Sequence, residues 1–321
     1  MDYHDSADGL RAVPEAPAAW LAAEVAATFG AATVAVLHYG SRAQGRPTRP
    51  DSAFDYFVIL TGYAQGYLAA ARSGACRRPR AAALLARVLP PNSMAIRRNG
   101  PYGQQEAKCL LLTLAEFERA CSGRARDHFV QTRMAQRVVI AWSRDPVSAG
   151  AAAAAIRAAR ERSSQWVPAF LPHRFDLEDY CRALIRVTFA HELRTEPANH
   201  PEVLFEAQRA LLLDTYRPVV ARLVAGGVLS VEGDHYRQRR PPGPLARLRI
   251  RAYFRESLMR TTMRLLKQPL LYDDWLEYLL RKIQRSGGRP IELSGPERRW
   301  PLIFLWPRAF RYLRGRPQRE R

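Results

Sequence analysis

Apolar positions along the chain follow two periods, and the place where one gives way to the other divides it. Residues 17–29 show a helical spacing that closes near Gly30. Residues 33–39, TVAVLHY, read as a strand running into Gly40-Ser41. After a loop rich in Arg, Pro and Gly, a second strand fits 53–60, AFDYFVIL. Helical spacing returns at 80–88. A third strand fits 105–113, QEAKCLLLT, followed by helices over 114–121 and 127–134 and a strand over 137–142, RVVIAW. Strands and helices mixed in this way predict an α/β or α+β arrangement, of which α+β is the one expected here. From Ser148 the period is almost wholly helical, with helices expected over 149–165, 176–193, 200–225, 245–267 and 272–285. Two strand-like pieces within 227–238, around Gly233-Asp234, interrupt them as a hairpin, and helices with so small a hairpin suit a winged-helix-like module. The pattern predicts a helical lead (1–30), a mixed domain (31–147), a helical domain with a small hairpin (148–268) and a C-terminal helix with a tail (269–321).

Composition adds charge to this picture. Of 321 residues, 47% are apolar and 25% charged, as in ordinary folded proteins. No window approaches the ~20 consecutive apolar residues of a membrane-spanning helix. The acidic N-terminus lacks the layout of a secretion signal or a mitochondrial presequence. Four scattered cysteines (Cys76, Cys109, Cys121, Cys181) show no metal or disulfide spacing, so a reducing compartment is expected. The net charge of +20 calls for a polyanionic partner. Nucleic acid, anionic lipid headgroups and phosphate-bearing substrates all stay open. Only Lys108, Lys267 and Lys282 among the 50 cations are lysines. A lysine retained where arginine is the rule marks either a need for a compact ammonium or chance survival on a solvated face.

The sharpest candidate chemistry lies in HYGSRAQGRPTRPDSAFDYFVIL, residues 38–60. A strand ends in Gly-Ser, and the next strand carries Asp55 between apolar neighbours. Gly40 lets backbone approach a triphosphate, Ser41 and nearby amides can bond phosphate oxygens, and a carboxylate on the adjacent strand suits a divalent metal. This layout resembles the nucleotidyltransferase superfamily, whose fold is polymerase β-like. That superfamily usually carries two carboxylates at alternate strand positions, which here are Ala53 and Asp55. Asp51 lies just upstream as a helper. A chain that kept the fold and lost the chemistry fits the same residues.

Alternation over 105–113 puts Glu106, Lys108, Leu110 and Leu112 on one strand face. Glu106 then reads as a second metal ligand and Lys108 as a phosphate ligand, or both as members of a cross-strand ion pair. Arg133 and Arg137 flank the turn into RVVIAW, where they meet either a phosphate or solvent. His38 reads as a packed histidine.

Several stretches together resemble a narrower family, the mitochondrial-type phosphatidate cytidylyltransferases, also called translocator assembly and maintenance proteins. Tyr39-Gly40-Ser41 matches their Tyr-Gly-Ser, and Asp55 their lone Asp in an apolar run. Lys108 matches the Lys of a later strand, and Arg133 the Arg of the turn before the next one. Glu192 and Arg194 match an acidic-x-Arg element, and Tyr216 and Pro218 a Tyr-x-Pro element. Arg42, Gln136 and His191 stand where the family has Gly, Lys and Gly. The resemblance covers roughly residues 33–280. It implies a magnesium-dependent enzyme that forms CDP-diacylglycerol from CTP and phosphatidic acid, peripheral on the inner, cytoplasmic face of a membrane. It implies nucleotide binding by Tyr39, Gly40, Ser41, Lys108 and Arg133, metal ligation by Asp55 with Asp51 or Glu106, and contact with the acceptor phosphate by Arg137, Glu192 and Arg194.

The tail 295–321 has eight arginines and an apolar core, WPLIFLWP, too short to span a bilayer. Trp300, Trp306, Arg308, Phe310, Arg311, Tyr312 and Arg314 read as an interfacial membrane anchor, or as a tail packed on the protein's own core. A second basic run, 237–264, suits either a lipid surface or a nucleic-acid backbone. Two other functional readings stay open: transfer of a nucleotide to RNA, protein or a small alcohol, and a catalytically inactive, membrane-bound adaptor.

Overall fold

Helix α1 (Ala16–Phe29) carries Pro17 in its first turn, where the missing N–H costs nothing, and buries Leu21, Val25 and Phe29. It ends at Gly30 and leads into β1 (Thr33–Tyr39), which is buried along its whole length. A computed structural model describes residues 9–10, 12–49, 52–191, 199–271 and 294–296. Its chain falls into two units, Met1–Leu265 and Leu266–Arg321. The side-chain contacts and sites described below are those of the first.

After the short α2 (Gly40–Ala43) and a loop comes β2 (Phe54–Leu60), then α3 (Tyr63–Arg72), α4 (Pro79–Ala86), β3 (Asn92–Gly100) and β4 (Gly103–Thr113). With β5 (Val139–Ser143) these strands make a five-stranded sheet in the order β3-β4-β2-β1-β5. β2 and β4 are parallel and every other neighbouring pair is antiparallel. A parallel pair needs a long crossover, and α3, α4 and β3 supply it.

The sheet is covered on both faces. Leu37, Phe57, Ile59, Leu110 and Leu112 pack with α5 (Leu114–Cys121), α6 (Phe129–Met134) and α7 (Pro146–Arg162) through Phe117, Val130, Met134 and Ile156. On the other face Tyr56 donates to the Ala18 carbonyl of α1 at 2.8 Å. Thr113 caps α5 in a reciprocal pair with Glu116, and Asp145 caps α7 by accepting from the Ser148 amide.

A second core is built from α8 (Leu177–Ala190), α9 (His200–Ala225), the helix α10 (Pro244–Leu271) and a three-stranded sheet. The expected hairpin is β7 (Leu229–Glu232) and β8 (His235–Gln238), and β6 (Arg174–Phe175) extends it in the order β6-β8-β7. Tyr180, Phe205, Tyr216 and Phe254 fill this core. The architecture is mixed α+β. Among the described residues no helix is long and apolar enough to cross a membrane.

Candidate active site

Three residues far apart in sequence form one row across the sheet. Tyr39 closes β1 and pairs with Asp55, which pairs with Lys108 of β4. Equal register on neighbouring strands points these side chains to one face. One step further along that face lie Leu37, Phe57 and Leu110, all buried, so the row stands on an apolar floor. Asp55 and Lys108 are part-exposed, and Lys108 Nζ lies 3.8 Å from Asp55 Oδ1.

Gly40 is required here for two separate reasons. Its φ is 82°, in the left-handed region. A Cβ at this position would also sit 2.5 Å from Asp55 Oδ2. The chain thus brings bare backbone against the carboxylate as it turns into Ser41.

Arg133 arrives from α6. It donates to the Tyr39 phenol oxygen, donates Nη1–H to the Phe129 carbonyl at 2.8 Å, and lies over the Phe129 ring at 3.7 Å from its centroid. Burial, and then the negative charge of Asp55, holds the Tyr39 phenol well above its ordinary range, so it stays a neutral hydroxyl. Tyr39, Asp55, Lys108 and Arg133 therefore form one cluster at the strand ends.

The turn that follows Arg133 is braced from three sides. Arg160 of α7 donates to the carbonyls of Met134 (3.2 Å) and Gln136 (3.4 Å). Tyr216 of α9 donates to that of Ala135 at 2.8 Å, and Gln208 accepts from the Arg137 amide at 2.8 Å. Tyr216 is thus a buried support of the site. Gln136 is buried and accepts from Gln44, so it belongs to the packing between α2 and the turn. Arg137 is tied through its backbone, with an exposed side chain.

Arg42 lies over the Phe54 ring at 4.2 Å and donates to the carbonyls of Ser52 and Arg49, which clamps the loop before β2. Glu106 faces the same way as Lys108 but pairs with Arg97 across β3 and β4 at 3.1 Å, the cross-strand arrangement. His38 points to the opposite sheet face from Tyr39, packed between Phe54 and Tyr56. Its imidazole is depressed to about 4, first by burial and then by Arg42.

Asp51, Glu192, Arg194 and the tail residues Trp300, Trp306, Arg308, Phe310, Arg311, Tyr312 and Arg314 lie outside the described residues. One further group was missed in the sequence. Asp127, almost fully buried, accepts from Arg260 at 3.1 Å and from Arg264, both on α10. Arg264 also lies over the Phe129 ring that Arg133 covers. Nothing local to Asp127 signals this link, because its partners lie more than 130 residues downstream.

Among the described residues no group of three or more His, Cys, Asp or Glu side chains is arranged to hold a metal ion. Asp55 offers one accessible carboxylate beside open backbone. That donor suits magnesium in its usual mode with nucleotides, where one or two carboxylates share the ion with phosphate oxygens and water. Comparisons with known protein families and with curated protein sequences find no match for this chain.

Proposed function

We propose that the protein is a nucleotidyltransferase. The observation that carries this reading is the Gly40 turn, pressed against Asp55 with Lys108 and Arg133 beside it. More particularly, we propose a phosphatidate cytidylyltransferase, which joins CTP and phosphatidic acid into CDP-diacylglycerol at a membrane surface. The residues that resemble that family support this step.

In this account the amides around Gly40 and Ser41 cradle the triphosphate. Asp55 would hold magnesium, with Asp51 or Glu106 as candidate helpers. When bound, that ion supplies charge neutralisation on the triphosphate. Lys108 and Arg133 bind phosphate oxygens and balance the charge that grows on the bridging oxygen. An oxygen of the acceptor phosphate attacks the α-phosphorus, the α–β anhydride bond breaks, and pyrophosphate leaves. A phosphate monoester is already a competent nucleophile, so no strong base is needed, and neutral His38 on the far face takes no part. Positioning and electrostatics do most of the catalysis. Buried Tyr39 holds Arg133 in place through its phenol.

The test is a panel of labelled nucleoside triphosphates, each incubated with magnesium and vesicles of phosphatidic acid, RNA or a protein acceptor. The account expects a lipid product from CTP alone. Product on RNA or protein would move the acceptor, and the absence of turnover with every acceptor would favour an adaptor that has kept the fold.

A further inference from the structure

The inner and outer faces of α10 differ in kind. Its inner face packs Phe254, Ser257, Thr261 and Arg264 into the unit. Its outer face leaves Leu245, Leu248, Met259 and Met263 between 48% and 63% exposed. A buried helix would hide these side chains, and an ordinary surface helix would not carry four of them at helical spacing. Between them stand the exposed arginines Arg247, Arg249, Arg251 and Arg255, and Glu256 is the only acid from residue 235 to 265. A shallow groove on this face is lined by Leu258, Met259, Thr262 and Met263 and edged by Arg255.

A second exposed surface of apolar side chains and arginines lies in the sheet domain. Arg264 donates Nε–H to the Pro90 carbonyl at 2.9 Å, which seats α10 beside the segment after α4. There Leu84 and Val88 are exposed, with Arg80 and Arg87 along a groove closed by Leu68. No acidic residue occurs between Asp55 and Glu106.

We infer that the outer face of α10 docks onto an anionic lipid bilayer. From Leu245 to Met263 the helix offers a strip roughly 27 Å long. Leucine and methionine enter the boundary between headgroups and acyl chains, while arginines keep their guanidiniums at the phosphates and lay their stems along the apolar strip. A nucleic-acid backbone would use the arginines and leave the apolar side chains in water. A second copy of the chain would bring like charges together. The inference names the membrane partner of the proposed transfer. It rests on that reading only for the lipid's role as substrate, because docking is measured without turnover.

The experiment uses the full chain and sedimentation with phosphatidylcholine vesicles, with and without phosphatidylserine. Two variants address the face, Arg251→Gln with Arg255→Gln, and Leu248→Ser with Met259→Ser and Met263→Ser. A third, Arg119→Gln with Arg124→Gln, removes the same charge from exposed positions elsewhere. Thermal melts check that all three fold. The intact protein should bind the anionic vesicles and bind neutral ones much more weakly. The arginine pair should lower the partition coefficient about thirtyfold, since each arginine near an anionic surface contributes about fivefold. The apolar triple should lower it tenfold or more, and the control pair little. Equal binding by both face variants and the intact protein would overturn the inference. So would equal affinity for neutral vesicles, retention of polyuridylate that depends on the arginines alone, or self-association that the serine triple abolishes. A chain that docks but makes no CDP-lipid would refute the transfer reading alone. Face variants that dock normally while the protein still converts a short-chain, water-soluble phosphatidic acid would refute the docking alone.

Discussion

A methyl group at residue 40 would meet the Asp55 carboxylate at 2.5 Å and would have to adopt a positive φ. Gly40→Ala should therefore reduce nucleotide transfer by more than about a hundredfold, while the strained backbone costs the fold only about 1–2 kcal/mol. Steady-state kinetics beside a thermal melt checks both. The pair of Lys108 and Asp55 is part-exposed, so it adds little stability of its own. Lys108→Met should leave the melting temperature nearly unchanged and cut kcat strongly. Lys108→Arg should not restore it fully, because a planar fork replaces a point charge. His38 predicts a pH effect on stability and none on chemistry. Its folded pKa of about 4 lies below its unfolded value of 6.5. Between those values the unfolded chain binds a proton that the folded chain refuses. Stability from this residue is therefore full above 6.5 and is lost as pH falls toward 4, by about 3 kcal/mol at most. Denaturant titrations of His38→Phe over that window should give a flatter pH profile.

Elements explain how Arg133 reaches a row of residues on three strands. The turn at 134–137 hangs on Arg160, Gln208 and Tyr216, which come from two helices of the second half. Tyr216→Phe leaves the buried Ala135 carbonyl without its donor, so it should cost about 1–3 kcal/mol. It should also lower kcat by letting Arg133 shift, whereas Gly40→Ala should lose far more activity for a similar or smaller cost to the fold. Asp127→Asn would strand the buried Arg264 and should destabilise by about 3–5 kcal/mol in denaturant titrations. These elements were unevenly legible in the sequence. β1, α5 and α9 begin and end where the apolar spacing put them, because each has sharp chemistry at its ends, such as Thr113 and Glu116 for α5. β3 was missed because it is an edge strand whose outer half is polar, with only Met94 and Ile96 among its apolar side chains buried well. α3 was missed because Gly66 weakens its helical signal. The glycine is there because a Cβ would lie 2.8 Å from Leu60 Cδ1.

At the scale of the molecule, the sequence could name Tyr39, Gly40, Asp55, Lys108 and Arg133 but could not say that they meet. Their meeting depends on the parallel pairing of β2 with β4, and strand patterns carry no information about neighbours. The same gap hid Arg97 as the partner in the cross-strand ion pair of Glu106, since β3 itself was invisible. Charge was legible as a total and not as a surface, because the arginines of α10 divide between a pair held on buried Asp127 and an exposed set among Leu and Met. The account then joins a cation-lined strand end to a bilayer through one helix. Its central claim is a transfer of the α-phosphoryl group with its nucleoside to a lipid phosphate. That claim is tested most directly by incubating the protein with magnesium, phosphatidic acid vesicles and CTP labelled either at the α- or the γ-phosphorus. The account predicts organic-extractable label from α-labelled CTP only, labelled pyrophosphate from γ-labelled CTP, and neither with Asp55→Asn. Lipid that carries the γ-label, or an Asp55→Asn protein as active as the parent, would contradict it.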